Sequence, residues 1–145
     1  MIIDEGLYQS IKRCLPIACV DIIVRCNGKV LLLCRNNEPA RNQFWFPGGR
    51  IHVGEAIEDA CRRKLYEETR LSAEFEKVLT VENTIFKDPI VHTVNVCCVM
   101  NSDQEYTPCL DCNHSSYIWS DLETSEMLLP ALDIAVLRPV RLALQ

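Results

Sequence analysis

Two aliphatic, β-branched runs set the first part of the pattern. Residues 17–26, IACVDIIVRC, and 29–35, KVLLLCR, read as strands, and Asn27-Gly28 between them is a two-residue hairpin turn. Ahead of them, residues 4–13, DEGLYQSIKR, predict a short amphipathic helix with Leu7 and Ile11 on one side and Pro16 beyond its end. Residues 38–43, EPARNQ, read as a loop. A second strand pair is expected over 73–86 and 90–101, with Asp88-Pro89 marking the turn, and a last short strand over 116–120, SYIWS. Residues 132–144, LDIAVLRPVRLAL, predict a terminal helix kinked or stopped near Pro139. With no internal repeat, low-complexity tract or linker, the expectation is one domain over 1–145. Strand pairs around one long central helix suggest an α+β sandwich, helices flanking a mixed sheet.

The central helix carries the most informative polar positions. Gly54 can begin it, with Glu55, Glu58 and Asp59 in a first turn where carboxylates suit the dipole. Advancing about 100° per residue from Ile57, the residues Ala60, Cys61, Leu65 and Leu71 fall on one apolar arc. Glu68 lands in the middle of that arc, Lys64 beside it and Glu67 on its edge. A carboxylate aimed at a core is costly unless it is paired or metal-bound. One reading is a Lys64–Glu68 ion pair four residues apart, common on solvated faces. The other is that this face fronts a cleft where Glu68, with Glu67, holds a hard cation such as magnesium or manganese. Spacing alone leaves both open.

Composition narrows the partners. Hydrophobic residues are 48% and charged residues 24% of the 145, a globular balance. The net charge of −5 argues against a broad grip on nucleic acid, so an anionic ligand needs a few arginines or a bound cation. The apolar runs are too short to span a bilayer, so no membrane partner is expected. The start, MIIDEGLYQS, lacks the basic and apolar regions of a signal peptide, which makes the cytoplasm the expected location. Nine cysteines, most of them in strand-like runs (Cys19, Cys34, Cys97, Cys98), read as buried free thiols. Cys109 and Cys112 form a lone Cys-x-x-Cys without the further ligands that zinc requires.

Residues 49–71, GRIHVGEAIEDACRRKLYEETRL, resemble the signature of the Nudix hydrolases, and the flanking FWFPGG is similar to the strand and turn that lead into that family's loop-helix-loop. Gly49, Glu55, Arg63, Leu65, Glu67, Glu68 and Leu71 all fall in that family's register. The resemblance implies an α/β/α sandwich around a mixed sheet and hydrolysis of a nucleoside diphosphate derivative with a divalent cation, Mg2+ or Mn2+. Lys64 stands where the family has a glutamate that binds metal or acts as base, and Arg70 where it has a late glycine. An ammonium can do neither job of that glutamate.

One branch, the GDP-mannose mannosyl hydrolases, also lacks it, and the chain resembles that branch in LPIACVDIIV, in LLLCRNNEPARNQFWFPGGR and in DCNHSSYIW. The resemblance implies a metal held by Glu68, the Gly49 carbonyl and Asn113, and His114 as general base. It places Arg35, Arg50 and Arg63 around the diphosphate, with Asp21 near the sugar, and it implies a homodimer, contacting through the N-terminal segment. Asn113 is one methylene shorter than the branch's glutamine, and Glu67 replaces a small residue. With His114 as base, water attacks the anomeric carbon and gives nucleoside diphosphate and free sugar. With Glu67 and Glu68 organising water, phosphorus is attacked and the products are a nucleoside monophosphate and a sugar phosphate. A Nudix fold that binds nucleotide without turnover is the reading from another class.

Overall fold

The computed structural model describes residues 2–88, 90–129 and 133–145. Helix α1 spans Glu5–Cys14, capped by the Asp4 carboxylate, which accepts from the Leu7 amide. None of its residues is buried; Leu7, expected on its apolar side, is exposed. Strands β1 (Ile17–Cys26) and β2 (Lys29–Arg35) have the expected bounds. Asn27 and Gly28 turn between them with φ of 50° and 74°, the left-handed pair this hairpin requires. Short β3 (Phe44–Trp45) and β4 (Gly48–Arg50) follow, then α2 (Ile57–Thr69), long β5 (Glu74–Lys87) and β6 (Ile90–Asn101). Strand β7 (His114–Ser120), α3 (Leu122–Leu128) and a π-helical turn (Asp133–Leu137) running into α4 (Arg138–Ala143) complete the chain. Pro89 of the expected turn and Leu132 of the expected terminal helix lie outside the described residues.

The sheet is mixed, as expected, in the order β3-β2-β1-β6-β5, with β4 paired to β1 and β7 to β2. Among the described residues its one parallel pairing, β1 with β6 over Ile17–Arg25 and Thr93–Asn101, joins the two hairpins. Strands β1 and β2 pair only next to their turn, at Arg25–Val30 and Cys26–Lys29. Past that point they part. The start of β1 bonds to β4, and the end of β2 bonds to β3 and β7. The sheet therefore splits along its middle, and the site lies at the split.

Alternation on β1 feeds two cores. Val20, Ile22 and Val24 pack with Leu31, Leu33, Cys98 and the α2 residues Ala60, Cys61 and Leu65. Ile23 packs on the other face with Leu32, Trp45, Cys97 and the Val136, Leu137 and Val140 of the C-terminal segment. This is the helix–sheet–helix layering of an α/β/α sandwich. No helix among the described residues is long and apolar enough to cross a membrane. All nine cysteines are free thiols, and Cys19, Cys97 and Cys98 are buried as expected while Cys34 is only half-buried.

Three expectations are corrected. Helix α2 starts at Ile57, after an Ala56 N-cap, and not at Gly54. Gly54 sits at φ 79° in the preceding turn, which no helix accommodates. Glu55 consequently lies outside the helix, where it accepts from the His52 amide and from Arg63. Strand β7 opens two residues earlier than expected, at His114, because β2 extends the pairing to Arg35. The terminal segment is one π turn followed by an α turn, with Pro139 buried near the start of α4.

Candidate active site

Glu68 is turned inward. It is 6% exposed, and its Oε2 accepts from the Gly48 amide at 2.9 Å while its Oε1 lies 3.3 Å from the Lys64 ammonium. The ion pair of the first sequence reading exists, and Glu68 lines the wall of a cleft. Burial raises the Glu68 pKa, against the pull of Lys64 and the Gly48 amide. Gly48 lets β4 lie close against β1 because it has no side chain: a Cβ there would stand 2.2 Å from the Val20 carbonyl oxygen. Gly49 permits the approach of Lys64, since a Cβ would meet the Lys64 Cε at 2.7 Å.

The segment after β6 runs beside the end of α2. Cys109 donates its amide hydrogen to the Thr69 carbonyl, and Asp111 donates to the Glu68 carbonyl. That threading sets the Asp111 carboxylate beside Glu68, and His114 follows at the start of β7. Among the described residues, Glu68, Asp111 and His114 form a cluster whose ligand atoms all lie within 4.8 Å of one another. His114 Nδ1 is 2.7 Å from Asp111 Oδ1, and the histidine side chain is only 5% exposed. Two carboxylates and an imidazole suit a divalent cation. Asp111 was not foreseen from sequence. The signal available was an acid three residues before a histidine in DCNH.

Behind this cluster the sheet split opens a cleft of about 170 Å3. Asp21, Arg35, Trp45, Gly48, Gly49, Glu68, Thr84, Asn95 and His114 are among its lining residues. Asp21 is 4% exposed, and desolvation lifts its pKa to about 7 against hydrogen bonds from Asn95 and Trp45. Its Oδ2 and the Thr84 hydroxyl are buried with no hydrogen-bond partner, an unusual pair to find on one cleft wall. Arg35 is held by its Nε, which donates to the Pro39 carbonyl.

Other predicted residues lie elsewhere. Arg63 makes a two-pronged bond to Glu55 at 2.6 and 2.8 Å and also donates to the Arg50 carbonyl, tying α2 to β4. Burial opposes ionisation of Glu67, but Lys64 and Arg63 win and lower its pKa; its side chain is 47% exposed, at the rim. The Arg50 guanidinium lies over the Tyr8 ring, and Arg50 is not among the cleft's lining residues. Asn113 is exposed; its Oδ1 accepts from Asn37 at 2.5 Å and its Nδ2 donates to Asp111. Cys109 and Cys112 are exposed and stand outside the cluster.

The backbone at position 70 shows why the signature has a glycine there. Arg70 caps α2 in the left-handed region, with φ 59°, where glycine is the unstrained residue. Its guanidinium rests over the Tyr66 ring.

The family model of the NUDIX domain matches residues 16–138. An ADP-ribose pyrophosphatase of Methanocaldococcus jannaschii is 33% identical over 86 residues, 59% of this chain and 51% of that protein. A low-salt glycan biosynthesis protein of Haloferax volcanii is 35% identical over 77 residues, 53% of this chain and 49% of that protein. The matches thus span about half the length of these relatives. A NUDIX hydrolase from Nitrosomonas europaea has the same fold, with a TM-score of 0.75 at 17% identity over 89% of this chain and 88% of its own. So does the NUDIX domain of a Shewanella oneidensis protein, solved with ADP ribose, with a TM-score of 0.65 at 20% identity over 99% of this chain and 100% of its own.

Proposed function

The chain belongs to the NUDIX family, and we propose that it is a divalent-metal-dependent hydrolase of a nucleoside diphosphate linked to another moiety, a nucleotide sugar of the GDP-mannose kind foremost. The carrying observation is the cluster of Glu68, Asp111 and His114 at the mouth of a cleft whose inner wall holds the unpartnered Asp21 oxygen. Glu68 and Asp111, with the Gly49 carbonyl, would hold the cation. Asp111 takes the ligand place that the resemblance gives to Asn113, and the Asn113 amide steadies its carboxylate. A divalent ion there supplies charge neutralisation for the diphosphate as it leaves.

The remaining work falls to the chain's own groups. Asp111 accepts from His114 Nδ1, which fixes the tautomer and leaves Nε2 as the proton acceptor for a water. His114 is thereby the general base for attack at the anomeric carbon. Arg35 meets a phosphate oxygen, and Asp21 with Thr84 accepts hydroxyl donors of the moiety lodged in the cleft. Arg63 acts at one remove, holding β4 against α2. Turnover with inversion releases nucleoside diphosphate and free sugar.

A second reading, attack at phosphorus, draws support from the relative named as an ADP-ribose pyrophosphatase. It would employ Glu67 with Glu68, and the two cations already bonded to Glu67 at the rim weigh against it. One experiment separates the readings: hydrolysis of nucleotide sugars, ADP-ribose and nucleoside triphosphates in 18O-water with Mg2+ or Mn2+, products identified by mass. Label in the sugar with release of nucleoside diphosphate is the expected result. Label in phosphate with a nucleoside monophosphate overturns carbon attack. Binding without any product across the panel replaces the enzyme by a nucleotide binder. Glu68→Gln is expected to abolish turnover, and His114→Ala to reduce kcat by roughly 100-fold or more.

A further inference from the structure

Lys64 is placed with care for a residue that the signature leaves unexplained. Its stem runs beneath Gly49, where a Cβ would stand 3.3 Å from the Nζ. Its ammonium lies between Glu67 Oε2, at 3.2 Å, and Glu68 Oε1, at 3.3 Å, and the side chain is only 19% exposed. Asp111 and His114 gather around Glu68 as well, and neither makes a bond to Lys64 in the described network.

We infer that the Lys64 ammonium is a built-in second cation, filling a position between Glu67 and Glu68 so that the centre takes a single divalent ion per chain, held on the Asp111 and His114 side of Glu68. The inference rests on the reading of the Glu68 cluster as a metal centre. A +1 charge fixed a few ångströms from the bound ion repels a second +2 ion, and it occupies the oxygens that ion would need. In this centre lysine therefore stands in for a metal ion and not for a carboxylate. The same contact holds Glu67 at the rim, away from the reacting groups.

Manganese titration of the intact chain, read by the loss of the free-ion electron paramagnetic resonance signal, tests this without reference to turnover. The wild type is expected to bind one Mn2+ per chain. Lys64→Glu is expected to bind two, with the broadened spectrum of a coupled pair. Lys64→Gln, which keeps the stem and removes the charge, is expected to hold its first ion at least tenfold more tightly at low salt. Two ions on the wild type, one ion on folded Lys64→Glu, or unchanged or weaker binding by Lys64→Gln would each overturn the inference and leave the metal centre standing. No Mn2+ on the wild type would remove the metal centre and the inference together.

Discussion

Removing the Glu55 charge is the perturbation that best tests how the site is held. Glu55 accepts both prongs of the Arg63 guanidinium and the His52 amide, and the Arg63 bond is the main cause that lowers its pKa to about 2. Against an ordinary glutamate near ~4.3, that is roughly two units, or ~3 kcal/mol of linkage before solvent screening. The Arg63 side chain is 24% exposed, so water returns part of this, and a net loss of about 1–2 kcal/mol is expected for Glu55→Gln at pH 7. The folded pKa lies below the unfolded one. The stabilisation is therefore complete above about pH 4.3 and disappears as the pH falls through about 2. Urea unfolding of wild type and variant at pH 7 and at pH 2 is the assay, with a melting shift of ~3–6 °C at pH 7 as its thermal counterpart. An unchanged midpoint at pH 7, or an equal deficit at pH 2, would refute the reasoning. Because the same guanidinium holds the Arg50 carbonyl, the variant should also lose activity at pH 7 while retaining Mn2+ binding at Glu68.

Three further outcomes follow from particular contacts. Arg70→Gly should raise stability by about 0.5–1 kcal/mol in thermal melts, since glycine takes the left-handed cap freely and only a ring contact is lost. Gly48→Ala should destabilise by about 3 kcal/mol or prevent folding, because its methyl meets backbone at 2.2 Å and no side chain can yield; a melting point near wild type would contradict the packing described. Asp21→Asn should stabilise the chain above pH 7 and not below pH 4: the folded pKa of about 7 exceeds the unfolded value, so wild-type stability falls as pH rises between the two. Melting curves at pH 4 and pH 8 check it, and the same substitution should weaken substrate binding if the unpartnered oxygen faces the ligand.

The hairpin at Asn27-Gly28, the bounds of its strands and the inward aim of Glu68 were legible in the sequence, because each depends on residues a few positions apart. Local stereochemistry fixes a left-handed turn, and a 3.6-residue period fixes which helix positions share a face. The register of Gly49, Glu55, Arg63 and Glu68 likewise carries the family. Tertiary structure decided what those residues meet. Asp111 and Glu68 are far apart in the chain and become neighbours only because the segment after β6 bonds to the end of α2. Arg63 matched a position expected at the diphosphate, yet it is committed to Glu55, eight residues back and outside the helix. The cleft itself exists because β1 and β2 part beyond their turn, a consequence of β3, β4 and β7 competing for their edges. Local propensity sets the elements, whereas the charge and hydrogen-bond partners of a buried group are set by whatever distant segment fills the space beside it, and no one-dimensional spacing encodes that.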